Sequence, residues 1–194
     1  MTYLNLYAVR ECTVSEGPGK RFAIWCQGCA KRCPGCCNEK MQELTQRHIV
    51  AVEDVINLIK DSYKKNNIEG VTFIGGEPML QAEGFAEIAE WCRKNNLSVL
   101  SFTGYLYTEL KELNNKHINK LLKNTDMLVD GPFIQEQFDT ERDWIGSKNQ
   151  KLYFLSDWYK AGIEYEHKEH TMDILVSERD LLINGWPFIF SAEH

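Results

Sequence analysis

Five of the seven cysteines of this 194-residue chain fall between Cys26 and Cys37, in the run CQGCAKRCPGCC. So many thiols on one short loop leave three chemistries: a disulfide framework, a zinc site or an iron–sulfur centre. A disulfide framework fits poorly. The cysteine total is odd, and the N-terminal MTYLNLYAVRE lacks the basic region and apolar core that would direct a chain to an oxidising compartment. The cytoplasm is therefore the expected location.

The spacing reads Cys26-x2-Cys29-x3-Cys33-x2-Cys36, with Cys37 adjacent. Structural zinc wants four donors in a tetrahedron. Its paired C-x2-C knuckles usually stand about a dozen or more residues apart, and here only Ala30, Lys31 and Arg32 separate the halves. The order of spacings also differs from that of a bacterial ferredoxin run. Within the run, Cys29-x3-Cys33-x2-Cys36 is the informative triplet. Three thiolates on one tight loop can hold three irons of a [4Fe–4S] cube and leave the fourth iron open to another ligand. Zinc and scattered buried cysteines remain the alternatives to a cluster.

The remaining composition narrows the class. With 43% hydrophobic and 26% charged residues, the chain is expected to fold as one globular core. A net charge of −6 argues against a nucleic-acid or membrane-surface binder, whose footprint is basic. No apolar run approaches the ~20 residues that would span a bilayer.

Hydrophobic periodicity predicts strands at residues 3–9, 21–26, 70–74, 97–102, 126–130 and 151–155. Helical spacing connects Val52, Val55, Ile56, Ile59 and Tyr63, then Phe85, Ile88, Ala89 and Cys92, then Leu106, Leu110, Leu113 and Leu121. Such alternation implies an α/β protein with a parallel sheet and right-handed crossovers. A closed eight-unit barrel usually takes ~250 residues, so an open, partial β/α barrel is the expected form. Residues 130–150 read as one long loop, of the kind that is often functional. The tail 156–194 is expected to be a C-terminal extension, a short hairpin of TMDILVS and WPFIF turning at Asn184-Gly185 and packed on the core. His167 and His170 in that tail lack a third ligand nearby and read as exposed polar residues.

The C-x3-C-x2-C triplet is the signature of radical S-adenosylmethionine (SAM) enzymes, and this chain resembles them. GPGKRFAIWCQGCAKRCPGCCN (17–38), FIGGEP (73–78), FTGY (102–105), DMLVDGPF (126–133) and WIGSKNQ (144–150) occur in matching order. Together they resemble the activating proteins of anaerobic (class III) ribonucleotide reductase, over the 1–155 core. The resemblance implies a radical SAM core with Cys29, Cys33 and Cys36 as both the cluster ligands and the catalytic centre. It implies SAM at the open iron, with Gly75, Gly76, Glu77 and Pro78 at the SAM amino group, where Glu77 supplies acceptors. Gly35, Cys36, Cys37 and Asn38 would approach the adenine side, and Thr103 and Asp130 complete the expected cofactor contacts. The aromatic that many relatives place beside the last cysteine is missing, because Gly35 and Cys37 occupy those positions. Cys26 and Cys37 read as spare ligands or as plain residues flanking the loop, and Arg21 as the partner of a carboxylate or a surface cation.

The implied activity is reductive cleavage of SAM to a 5′-deoxyadenosyl radical that takes hydrogen from a glycine of a large reductase subunit. A flavodoxin- or ferredoxin-type protein would donate the electron, with no nucleic acid or membrane involved. Two competing readings stand beside it: a radical SAM enzyme acting on another peptide or small molecule, and a non-catalytic iron–sulfur carrier or zinc-binding module.

Overall fold

A computed structural model describes residues 1–166 and the backbone of two short strands beyond them, Met172–Val176 and Leu181–Gly185. In chain order the elements are β1 (Tyr3–Thr13), β2 (Arg21–Cys26), β3 (His48–Ala51), α1 (Val52–Asn66), β4 (Gly70–Gly75) and α2 (Ala82–Lys94). Then follow β5 (Ser98–Phe102), α3 (Tyr107–Glu112), α4 (Lys116–Lys123), β6 (Met127–Asp130), β7 (Lys151–Phe154), β8 (Met172–Val176) and β9 (Leu181–Gly185).

Seven strands form one open sheet in the order β3-β1-β2-β4-β5-β6-β7. The α/β class and the open sheet match the expectation from sequence. The sheet is parallel only at its centre, where β2, β4, β5 and β6 run together. β1, β3 and β7 pair antiparallel with their neighbours. The reason is the connections: parallel neighbours need a crossover, usually a helix, and no α-helix separates β1 from β2 or β6 from β7.

Side-chain alternation along the central strands sorts the sheet into two faces. Phe22 and Ile24 of β2, Val71 and Phe73 of β4, Val99 of β5 and Leu128 of β6 join one core with the buried residues of all four helices. Val55 and Ile59 of α1 and Phe85, Ile88 and Ala89 of α2 complete its centre, and the Phe73 and Phe85 rings meet at 4.7 Å between centroids. The opposite residues, Trp25, Ile74 and Phe102, look into a cavity instead. Helices thus cover one face, as the outer layer of a β/α barrel does, and the bare inner face is left for a site.

Three local readings need correction. β3 has no counterpart among the predicted strands; it is a short edge strand pairing Tyr3–Leu6 with His48–Ala51. The single helix expected through Leu106, Leu113 and Leu121 is two, because Asn114 adopts a left-handed conformation (φ 45°) and the Asn115 side chain caps α4. Asn184-Gly185 do not make the turn of the last hairpin. They end β9, with Asn184 opposite Asp173 of β8. WPFIF, His167 and His170 lie outside the described residues.

Arg21 is not a surface cation, and among the described residues it pairs with no carboxylate. Its guanidinium is fully buried and donates to the Thr72 and Ser98 hydroxyls, the Pro18 carbonyl and the Tyr159 hydroxyl. Tyr159 in turn bonds to Glu69. The segment just past β7 is thereby tied to the start of β2, and Tyr159 and Ile163 also pack on Leu100 and Met127.

Candidate functional site

The cavity of about 590 Å³ on the bare face is within the size range of small-molecule sites. It lies at the C-terminal ends of the parallel strands, where open α/β sheets bind ligands. β2 ends at Cys26 and delivers the cysteine loop directly to its rim. Cys29, Cys33, Cys36 and Cys37 all line this one cavity, and every cysteine among the described residues is a free thiol.

No three His, Cys, Asp or Glu side chains among the described residues converge as a single ion requires. A cube asks for a different arrangement, with one thiolate per iron around one face, and three thiols spread over one cavity wall suit it. The donor set is all sulfur, which selects iron–sulfur chemistry or zinc over harder ions.

The thiols differ in their surroundings. Cys36 accepts a hydrogen bond from the Cys37 thiol, which pulls its pKa down to about 6 despite partial burial, with the Asn38 backbone and the Gln42 side chain adding. Cys37 is pushed up correspondingly. Burial raises Cys33, partly offset by the Phe133 backbone N–H. Cys26 is a different kind of residue. It is buried in the helix-side core, its thiol is pushed far up by burial, and it does not line the cavity.

β4 carries the Gly75-Gly76-Glu77-Pro78 turn to the same rim. A Cβ on Gly75 (φ +105°) would meet the Cys26 backbone at 2.6 Å, and one on Gly76 would meet the Gly28 carbonyl oxygen at 2.3 Å. The glycines therefore let the turn press against the cysteine loop itself, rather than only against a ligand. Two bonds stitch the contact: Gly76 N–H to Cys26 O at 2.9 Å and Glu77 N–H to Gly28 O at 2.8 Å.

Glu77 is fully buried. Its Oε1 accepts from Met79 N at 3.0 Å and Thr103 Oγ1 at 2.8 Å, and its Oε2 accepts from Gly104 N at 2.8 Å. Burial raises its carboxyl group, opposed by these three donors and by Lys31. Thr103 touches the cavity, but its hydroxyl is committed to orienting Glu77.

Among the remaining expected contacts, Asn38 joins the thiols on the cavity wall. Gly35, Pro78 and Asp130 do not line it. Gly35 abuts the Gln135 side chain, and Pro78 is buried at the start of a tight turn, Pro78–Gln81. Asp130 is buried and serves the fold. Its Oδ2 accepts Tyr107 N–H at 2.7 Å, capping α3, and its Oδ1 accepts Lys151 N–H at 3.2 Å on β7. Ser147 and Asn149 likewise hold the long loop together, bonding Ile134 N and Pro132 O.

Several wall residues lie within the matched blocks yet are not among the expected contacts. Trp25, Phe102, Phe133 and Trp144 bring rings to the cavity from four different segments, although the cysteine loop has none. Lys31 stands between Glu109, at 3.5 Å, and the Tyr105 ring, at 3.9 Å from its centroid. Strand alternation could have found Trp25 and Phe102; the loop residues carry no periodic signal. The loop 130–150 is folded on itself. Arg142 bonds the Asp139 carboxylate at 2.7 Å and the carbonyls of Ser147, Lys148 and Gln150, and the loop offers Phe133 and Trp144 to the cavity.

The family model described as "4Fe-4S single cluster domain" matches residues 15–153, which span the thiols, the Gly75–Pro78 turn and the long loop. The anaerobic ribonucleoside-triphosphate reductase-activating protein of Vibrio cholerae is 33% identical over 79% of this chain and 97% of its own length. Its namesake from Haemophilus influenzae is 31% identical over 79% and 97%, and that from Escherichia coli 30% over 80% and 99%. The chain therefore belongs to the anaerobic ribonucleoside-triphosphate reductase-activating protein family, with a core that matches a 4Fe-4S single cluster domain.

Proposed function

We propose that this chain activates an anaerobic ribonucleoside-triphosphate reductase by removing a hydrogen atom from a glycine of that partner. One observation carries the reading: the C-x3-C-x2-C thiols share a single cavity with the Gly75–Glu77 turn, at the open end of the parallel strands. Cys29, Cys33 and Cys36 would hold the cluster, leaving one iron for SAM. Bound together, cluster and SAM supply a 5′-deoxyadenosyl radical, and the protein's part is to place it and exclude competing reactions.

The chain's own residues divide that work. Glu77, fixed by Thr103 and Gly104, offers its remaining acceptor capacity to the SAM ammonium. Asn38 and Cys37 flank the last ligand on the cavity wall, and the Phe133 and Trp144 rings supply the apolar surface that the cysteine loop lacks. A backbone glycine suits the reaction because the radical formed at its Cα is delocalised over two flanking amides. The required electron would come from a flavodoxin- or ferredoxin-type donor in the cytoplasm. Among the described residues no helix is long and apolar enough to cross a membrane.

The test is anaerobic mixing of the reduced, cluster-loaded protein with the reductase and SAM, followed by electron paramagnetic resonance. A glycyl radical doublet on the reductase, absent without SAM, is the expected result. Release of 5′-deoxyadenosine with no radical on the reductase would overturn the proposed partner.

A further inference from the structure

The corner that follows β5 holds Glu77 and also meets the cysteine loop. Thr103 Oγ1 and Gly104 N–H fix the two Glu77 oxygens, at 2.8 Å each, and Tyr105 N–H donates to Thr103 Oγ1 at 3.1 Å. Lys31, two residues after Cys29, reaches that corner from the loop. Its stem lies so close to Gly104 that a Cβ there would stand 2.8 Å from Lys31 Cγ. Its ammonium is 3.9 Å from the Tyr105 ring centroid and 3.5 Å from Glu109 Oε2. The same Glu109 oxygen accepts Leu106 N–H at 2.8 Å, so α3 already holds it in place. The Lys31 side chain is only 25% exposed, although Ala30 and Arg32 on either side face solvent.

We propose that Lys31 is a positioning residue: it straps the Cys29–Cys33 segment to the Gly104–Glu109 corner, and so sets where the cluster stands relative to Glu77. This rests on the reading that Cys29, Cys33 and Cys36 hold the cluster and Glu77 the SAM ammonium. Under that reading SAM meets two anchors on separate segments at once. The backbone bonds from Gly76 and Glu77 reach the loop at Cys26 and Gly28, ahead of Cys29. Lys31 adds a tie beyond Cys29, among the ligands themselves. A molecule gripped at two points binds less tightly once the spacing between them is no longer fixed. A lone exposed ion pair would do little. Here the pair shares its lysine with a ring contact and a packed stem, and its carboxylate is preset by α3.

The experiment uses the full chain, loaded anaerobically with iron and sulfide and left oxidised, without the reductase. Equilibrium dialysis against radiolabelled SAM gives the dissociation constant for wild type, Lys31→Met, Lys31→Arg, Glu109→Gln and the Met/Gln double variant. Lys31→Met keeps the stem and loses the charge, so SAM binding is expected to weaken about ten-fold, the lower end of the loss for an outer-shell partner. Lys31→Arg keeps a cation and should recover most of that affinity. Glu109→Gln retains an oxygen for Leu106 N–H but loses the anion, so it too should weaken binding. The double variant should be no weaker than Lys31→Met, because both changes remove one interaction. Iron content, and thermal unfolding of the metal-free chain, should stay at the wild-type level throughout. Wild-type affinity in Lys31→Met would overturn the inference. So would weak binding there beside wild-type binding in Glu109→Gln, since Lys31 would then act on SAM directly. If Lys31→Met assembles no cluster, Glu109→Gln, which lies outside the loop, decides. A wild-type chain that binds SAM equally well with and without iron would instead remove the reading on which the inference rests.

Discussion

The two faces of the central sheet are closed by different means. On one, Phe22, Ile24, Val71, Phe73 and Val99 meet the helices in a continuous apolar core whose residues are essentially all buried. On the other, Leu100, Met127 and Val129 form a small cluster with Ile145, covered by the long loop and the segment around Tyr159. The rest of that face, through Trp25, Ile74 and Phe102, borders the cavity. Helices interdigitate with strands and leave little space, whereas a loop held by its own hydrogen bonds can arch over the sheet. The helix face therefore carries stability and the loop face carries chemistry, and substitutions on the two should separate cleanly.

The largest expected effect lies on the loop face. Cys33→Ala should abolish the cluster while leaving the unfolding transition of the metal-free chain near wild type. Cys92→Ala, on the helix face of the same core, should retain iron at the wild-type level. Iron and sulfide analysis after anaerobic loading reads both. A Cys92 variant without a cluster would break the division.

Phe85→Ala should do the reverse. It removes a fully buried ring packed against Phe73, at a cost of about 3–5 kcal/mol in denaturant unfolding. Any cluster that the folded fraction binds should keep the wild-type spectrum. A changed spectrum would mean that the two faces are coupled.

Arg142→Met probes the loop's own clip. Losing a charge-assisted bond to the buried Asp139 and three carbonyl bonds should cost about 1.5–3 kcal/mol. Hydrogen exchange should speed up within residues 133–150 and stay unchanged in α1 and α2. Acceleration in the helices as well would show that the loop is part of the global core.

The smallest effect is expected at Asn115→Ala. The Asn115 side chain accepts from His117 N at 2.8 Å and caps α4, so its loss should cost about 1 kcal/mol in thermal unfolding and nothing at the cavity.

Legibility from sequence follows the same division. Strands β2, β4, β5, β6 and β7 can be read to within about two residues, the usual boundary scatter, because buried alternation and turn residues frame them. β3 escapes because it is only His48–Ala51, flanks a helix start, and is an edge strand with little buried surface. The break between α3 and α4 lies in Asn114-Asn115, a signal that the leucine spacing masks. In the site, the thiols and the Gly75–Glu77 turn are visible because their chemistry demands fixed neighbours in sequence. The place of Lys31, Phe133 and Trp144 on the cavity wall is not, because they lie within the quoted runs but only the fold brings their side chains together. Asp130 shows the opposite error: a polar residue within a family-like block that serves the fold, through Tyr107 and Lys151.

The central claim is that three cysteines hold an iron–sulfur cube with one corner open to SAM. Its most direct measurement is the electron paramagnetic resonance spectrum of the reduced, cluster-loaded protein before and after adding SAM, with 5′-deoxyadenosine assayed in the same sample. The account predicts about four irons per chain, a spectrum that changes on adding SAM, and 5′-deoxyadenosine released. Stoichiometric zinc, or a cluster that requires Cys26 and gives the same spectrum with SAM as without it, would contradict the account.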